Sequence, residues 1–216
     1  MKKLIILSLL MLFFVTNSFS FNSYHKSAYV NSKHLHQIFN KVKRNSDVSQ
    51  KALSEAFNYY EKYRFSKRLS SKYLAIADYT KEALEKRLYV VNLHSGNVKT
   101  YLVAHGKNSG EKYGRVWQSS NEVNSLMTPF GFFKVGYKEG ITVQKKHDYL
   151  SVKGLEWRNR HVGKSSKDGG RDVLVHTASY VKNGGRSFGC FAIRNRDKIE
   201  VFSQLKRALL YSYTGR

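Results

Sequence analysis

Cys190 is the single cysteine of the chain, and His176 stands fourteen residues before it at the end of an apolar run, Val173-Leu-Val-His176. A free thiol of pKa ~8.5 is only a few per cent thiolate at neutral pH, and a neighbouring imidazolium lowers that pKa to ~3.5–7.5. A Cys–His pair is therefore a candidate activated nucleophile for acyl transfer. Fourteen extended residues would span ~46 Å, so the two meet only if the chain turns back. Gly184-Gly185 lies between them and can reverse it. Gly189 lets the backbone approach a substrate with no side chain in the way. The Gly189 and Cys190 amides are candidates for an oxyanion pocket, where a donor contributes roughly 3–4 kcal/mol. On spacing alone a plainer reading stays open, with Cys190 a small core residue and His176 a satisfied histidine at a strand end.

These residues need elements to position them, and the pattern gives a helical front, a strand-rich middle and a closing helix. Residues 21–32 are polar and read as a flexible lead. Leu35, Ile38, Phe39 and Val42 follow helical spacing. Ser46 or Asp47 is placed to cap a second helix with Leu53, Ala56, Phe57 and Tyr60 on its apolar face. Tyr73–Tyr79 and Arg87–Leu93 read as strands, and the turn His94-Ser-Gly-Asn97 returns the chain along Val98–Ala104 as a hairpin. Phe130–Tyr137, Asp148–Val152 and Asp172–Ala178 are further strands, and residues 106–128 form a long loop. Asn195 is placed to cap a last helix with Ile199, Phe202, Leu205 and Leu209 inward. The fold class is mainly β with helices added at both ends.

The chain has 216 residues, 41% apolar and 14% aromatic, enough for one cored domain with a small appendage. One cysteine excludes an internal disulfide framework and any multi-cysteine metal site. Residues 1–20 follow the secretory pattern: Lys2-Lys3, an apolar run from Leu4 to Val15, then Ser18-Phe-Ser20 at a cleavage site. Cleavage there starts the mature chain at Phe21. The whole chain carries 38 − 15 = +23, and loss of Lys2 and Lys3 leaves 36 − 15 = +21. In an exported protein this charge points away from nucleic acid; scattered as it is, it reads as a solvated surface or as attraction to an anionic envelope surface and peptide carboxylates. No cofactor or metal is expected: P-loop, dinucleotide and HExxH patterns are missing. His34-x-His36 would point apart on a helix, His105 shapes a loop, and Glu156 has no partner carboxylate.

The stretch Gly185-Arg186-Ser187-Phe188-Gly189-Cys190 resembles the L,D-transpeptidase catalytic domain, in the subgroup with a Gly-Arg-Ser-aromatic-Gly-Cys nucleophile motif. Upstream, His176-Thr177-Ala178 is similar to the family's His-Gly-Ala. Val103–Gly110, Thr128–Phe133 and Leu150–Leu155 are similar to further family segments, and the resemblance runs in order from about residue 48 to the end. Phe188 stands where the commoner motif has a second histidine, Thr177 where it has glycine, and the stretch from His176 to Ser187 is short for the family. The resemblance implies a β-sandwich with an N-terminal helical segment and a C-terminal helix. With the secretory pattern and the helical front, the chain divides into three expected regions: a signal peptide at 1–20, a lead and helical segment at 21–71, and a catalytic domain at 72–216 that carries the resemblance.

It also implies a periplasmic or envelope enzyme acting on peptidoglycan stem peptides, at the bond between the diamino acid in third place and the D-alanine that follows it. Cys190 would be the nucleophile and His176 the base, with the Thr177 carbonyl holding the imidazole and Ser187 assisting by hydrogen bonding. Gly189 would serve the oxyanion, and Arg186 would pair with a stem carboxylate. Three outcomes follow: transfer to an amine, hydrolysis by an L,D-carboxypeptidase, or a non-catalytic wall-binding module. Bases in the 106–128 and 158–171 segments, Lys107 and Arg171 among them, would draw in carboxylate-bearing stems.

Overall fold

The computed structural model describes residues 29–215; the export signal expected at 1–20 and most of the polar lead lie outside them. Helix α1 (Ser32–Asn45) starts where the Asn31 side chain accepts from the His34 amide, and it buries Leu35, Ile38 and Val42 on one face. Helix α2 (Gln50–Tyr63) buries Ala52, Leu53, Ala56, Phe57 and Tyr60. Its cap is Ser49, whose hydroxyl accepts from the Ala52 amide, rather than Ser46 or Asp47. Those two are engaged elsewhere: Ser46 closes α1 on the Val42 carbonyl, and Asp47 holds Lys81 and Tyr89.

Eight strands follow: β1 (Tyr73–Asp78), β2 (Leu88–Asn92), β3 (Val98–Tyr101), β4 (Gly131–Ile141), β5 (Asp148–Gly154), β6 (Leu174–Thr177), β7 (Phe191–Ile193) and β8 (Leu209–Tyr213). They form one sheet in the order β3-β2-β1-β8-β4-β5-β6-β7. β3 is shorter than the pattern predicts because the chain leaves β2 after Tyr101 and crosses to the opposite edge. There Val103 bridges Ile193, and the Ala104 amide donates to the Ala192 carbonyl at 2.9 Å. Joining the two edges doubles the sheet over one inner core of alternating residues, among them Ala75, Val90, Phe133, Leu150, Val175 and Phe191. The expected sandwich is thus a single curled sheet.

The outer face of the central strands is covered too. Leu74, Ile76, Tyr89, Val91 and Leu209 pack against Leu35, Ile38, Leu53 and Phe57 of the helices. Burial on both faces is why β1 reads as a nearly unbroken apolar run. Each such side chain contributes about 1.5–3 kcal/mol when removed from water, so α1 and α2 share in holding the sheet.

At the other end, α3 (Lys198–Leu205) turns Val201, Phe202 and Leu205 into the inner core. Its cap position is Asp197, and Asn195 opens a 3-10 turn instead. Ile199 is 85% exposed, and Leu209 belongs to β8. The helix stops because Leu209–Tyr213, buried throughout, is drawn into the sheet between β1 and β4. β7 is only three residues long and gives no alternation to read. Among the described residues no helix is long and apolar enough to cross a membrane.

Candidate active site

β6 and β7 run parallel, with Val175 opposite Phe191, His176 opposite Ala192 and Thr177 opposite Ile193. Gly184 does reverse the chain, in the left-handed region at φ +65 after the 3-10 turn Ser179–Asn183. The reversal serves a crossover that brings β7 back to start beside β6. Extending the pleat by one residue sets Cys190 opposite Leu174. Residues 176, 190 and 192 then share the face opposite Val175 and Phe191, which point into the inner core. Two steps along a strand and one strand spacing give ~8 Å between the His176 and Cys190 Cα atoms, a gap two side chains can close. The thiol position agrees: Sγ lies 3.7 Å from the Asp172 carbonyl oxygen.

His176 is buried, with Nδ1 2.9 Å from the carbonyl oxygen of Thr177. A carbonyl only accepts, so Nδ1 carries the proton and Nε2 keeps a lone pair. Thr177 acts through its backbone. Burial lowers the His176 pKa; the Thr177 bond opposes this, and His147 and Lys145 add to it. Burial raises the Cys190 pKa, opposed by the Leu174 amide and Arg171. Both shifts favour a neutral thiol beside a neutral imidazole at rest.

Ser187 works inside the loop that leads to Cys190. Its hydroxyl donates to the Cys190 carbonyl at 2.7 Å and accepts the Gly189 amide at 3.1 Å. Its backbone is laced to the segment after β3, with Ser187 N on His105 O and Lys107 N on Ser187 O, both 2.8 Å. Since the Gly189 amide is taken, the Cys190 amide is the one of the expected pair with no hydrogen-bond acceptor among the described residues. Gly189 matters for its backbone: φ is +109, and a Cβ would run into the Arg171 guanidinium and the Met127 carbonyl.

Arg186 is exposed and has one nitrogen engaged within the chain. Its Nη1 donates to the carbonyls of Lys107 (3.1 Å) and Gly110 (3.0 Å), tying down the loop that follows β3. Arg171 is the more deeply set guanidinium. It is buried, donates to the carbonyls of Ser120 and Met127, and has its pKa lowered to about 10 by desolvation. It thereby clamps the 106–128 loop against the loop that leads to Cys190. His147, in the turn between β4 and β5, stacks on His176 at 5.0 Å and 22°. Sequence reasoning missed the roles of Arg171 and His147 because each acts on segments distant in the chain.

Under the loop, His105 is wholly buried. Its Nδ1 accepts from Arg87 Nη2 at 2.8 Å, Arg87 Nε holds Val103 O at 3.1 Å, and burial lowers the His105 pKa to about 4. His105 is thus a neutral structural acceptor. Glu156 takes the Phe132 amide and pairs with Arg158. Among the described residues no three His, Cys, Asp or Glu side chains converge as metal ligands.

A parallel strand pair that presents a cysteine and a tautomer-fixed histidine on one face is an arrangement suited to acyl transfer through a thioester. A family model for the L,D-transpeptidase catalytic domain matches residues 44–213, and the chain belongs to that family. Among solved structures it is similar to the helical cell shape determining protein Pgp2 from Campylobacter jejuni, at 15% identity and TM-score 0.41, over 67% of this chain and 49% of that one. It is also similar to an L,D-transpeptidase (residues 123–326) from Xylanimonas cellulosilytica, at 18% identity and TM-score 0.36, over 68% of this chain and 62% of that one. The chain thus spans about half the length of the Campylobacter structure. A search of curated proteins finds no match.

Proposed function

We propose that the protein is an exported peptidoglycan L,D-transpeptidase that transfers the acyl group of a stem peptide through a thioester on Cys190. The observation that carries this reading is the pairing of β6 with β7, which sets His176, its Nε2 free to accept, on the same face as Cys190. His176 takes the thiol proton as Sγ attacks the carbonyl between the diamino acid and the D-alanine after it. The Cys190 amide faces the oxyanion that forms. Collapse expels the D-alanine amine, which receives the proton from His176 and leaves a thioester. An amine of a second stem then attacks the thioester, gives up a proton to His176 and yields a 3–3 cross-link with the thiol restored.

The Gly185–Cys190 stretch supports membership of the aromatic-Gly-Cys subgroup, and the secretory pattern at 1–20 supports a periplasmic or envelope location. In this reading residues 72–216 form the catalytic portion and 21–71 its lead and helical front.

The test is the purified mature protein on tetrapeptide muropeptides, read by mass spectrometry. Dimers joined between third residues are expected, with an acyl adduct on Cys190 and no product from Cys190→Ala. Tripeptide monomers and free D-alanine alone, even with excess acceptor, would replace transfer by hydrolysis. No turnover and no adduct would leave the wall-binding module. N-terminal sequencing of envelope protein checks export, with Phe21 as the expected first residue.

A further inference from the structure

Three side chains that the acyl-transfer steps do not use meet at the rim of the site. Phe188, two residues before Cys190, is 61% exposed. Lys107, from the segment laced to Ser187, holds its ammonium 4.9 Å from the Phe188 ring centroid, and Lys145, from the turn between β4 and β5, holds its own 5.3 Å away. Each cation gains ~0.5–1 kcal/mol from the ring at an exposed site, but two like charges drawn to one ring repel. Among the described residues neither ammonium has a carboxylate partner, while other lysines, Lys81, Lys99, Lys198 and Lys206, do. Arg186 spends its Nη1 on two backbone carbonyls. The cluster is therefore a cationic seat on an aromatic floor, with its anion still to come.

Its position is set from two sides. The Phe188 and Cys190 Cα atoms are at most ~7 Å apart. Lys145 is two residues from His147, whose ring lies on His176. A donor stem whose scissile carbonyl sits at Sγ carries the carboxylate of its terminal D-alanine three bonds away, within ~4 Å of that carbonyl. Where the third residue is a diamino dicarboxylic acid, a second carboxylate terminates its side chain. We propose that Lys107, Lys145 and the Phe188 ring form a carboxylate subsite that selects donor stems bearing a free carboxylate beside the bond to be broken. This rests on the reading of Cys190 as the acylated residue and adds a specificity determinant to it.

The test uses Cys190→Ala protein and calorimetric affinity for three tetrapeptide stems: the free acid, the form amidated on the terminal D-alanine and the form amidated on the diamino-acid side chain. One of the two amides is expected to bind about tenfold more weakly than the free acid, and which one it is identifies the carboxylate. Adding Lys107→Gln and Lys145→Gln should weaken the free acid by the same factor and leave that amide unchanged. Thermal melting checks that these surface variants stay folded. Phe188→Leu, which keeps both charges, should cost less than the double glutamine change. Equal affinity for all three stems, no binding of any stem, or indifference to the lysines would overturn the subsite. Turnover by the unaltered protein is scored separately. An inactive protein that shows the binding pattern sinks acyl transfer and spares the subsite; an active one indifferent to both lysines does the reverse.

Discussion

The Arg171 guanidinium fills the space that a side chain at Gly189 would need, and from there it holds the carbonyls of Ser120 and Met127. Backbone freedom next to the thiol and the anchoring of a loop some fifty residues upstream are thus one packing problem. Gly189→Ala must adopt φ +109 with a β-carbon and displace the guanidinium. We expect a loss of acyl transfer of about two orders of magnitude, the scale of an ångström's misplacement of a reacting group. Wild-type turnover in this variant, measured with tetrapeptide stems, would contradict the arrangement. Arg171→Lys keeps charge but cannot bridge two carbonyls with a planar fork, so thermal unfolding should show a loss of about 2–3 kcal/mol.

The neutral resting state of Cys190 and His176 has a signature in pH. The Cys190 pKa lies above its ordinary value, so alkylation by iodoacetamide should climb only in the alkaline range, without the neutral-pH plateau of a preformed thiolate. The His176 pKa lies below its ordinary value, so the base stays competent into mildly acidic solution. The acid limb of kcat/KM should therefore fall below pH 6.5. His176→Ala should lose ~10²–10⁴ in turnover while its alkylation profile keeps the same midpoint. A midpoint moved by that change would mean an ion pair at rest.

Ser187→Ala removes the acceptor of the Gly189 amide and the donor to the Cys190 carbonyl together. Two hydrogen bonds of about 1 kcal/mol each are lost, with a buried amide left unpaired. The expected outcome is a fall in kcat of roughly tenfold or more at nearly unchanged KM, since the hydroxyl shapes the nucleophile loop and does not touch the substrate. A rise in KM alone would assign Ser187 to binding.

His105 links folding to acidity. Its folded pKa of about 4 lies below the ordinary 6.5, so between those values the unfolded chain binds a proton that the folded one refuses. Stability is therefore complete above about pH 6.5 and declines as pH falls toward 4, by ~3 kcal/mol for this group. His105→Asn keeps an acceptor for Arg87 and cannot titrate. Its melting temperature should change less between neutral and mildly acidic pH than that of the parent protein.

The juxtaposition of Cys190 and His176 was legible because its signals are local: a lone cysteine after glycine and a histidine closing an apolar strand. Strands with clean alternation or unbroken burial, such as β1, β2 and β5, were legible for the same reason. The curl of the sheet was not, since it depends on Val103 finding Ile193 ninety residues away. The clamp made by Arg171 and the stacking of His147 on His176 were invisible because a basic side chain in a loop has the same local pattern whether it is solvated or packed. β8 was read as the tail of a helix because Phe202, Leu205 and Leu209 keep helical spacing across the turn at Arg207, whose φ is +62.

That strand has a consequence for how the protein comes into being. β8 lies between β1 and β4, and Leu74 pairs with Leu209, 209 − 74 = 135 residues later. Such distant pairing makes for slow closure. Until residue 213 has been synthesised, β1 and β4 each wait with an open flank, and the two halves of the sheet meet only where Val103 bridges Ile193. A nonsense codon between Ile193 and Leu209 would spare the other seven strands and remove the one that joins β1 to β4.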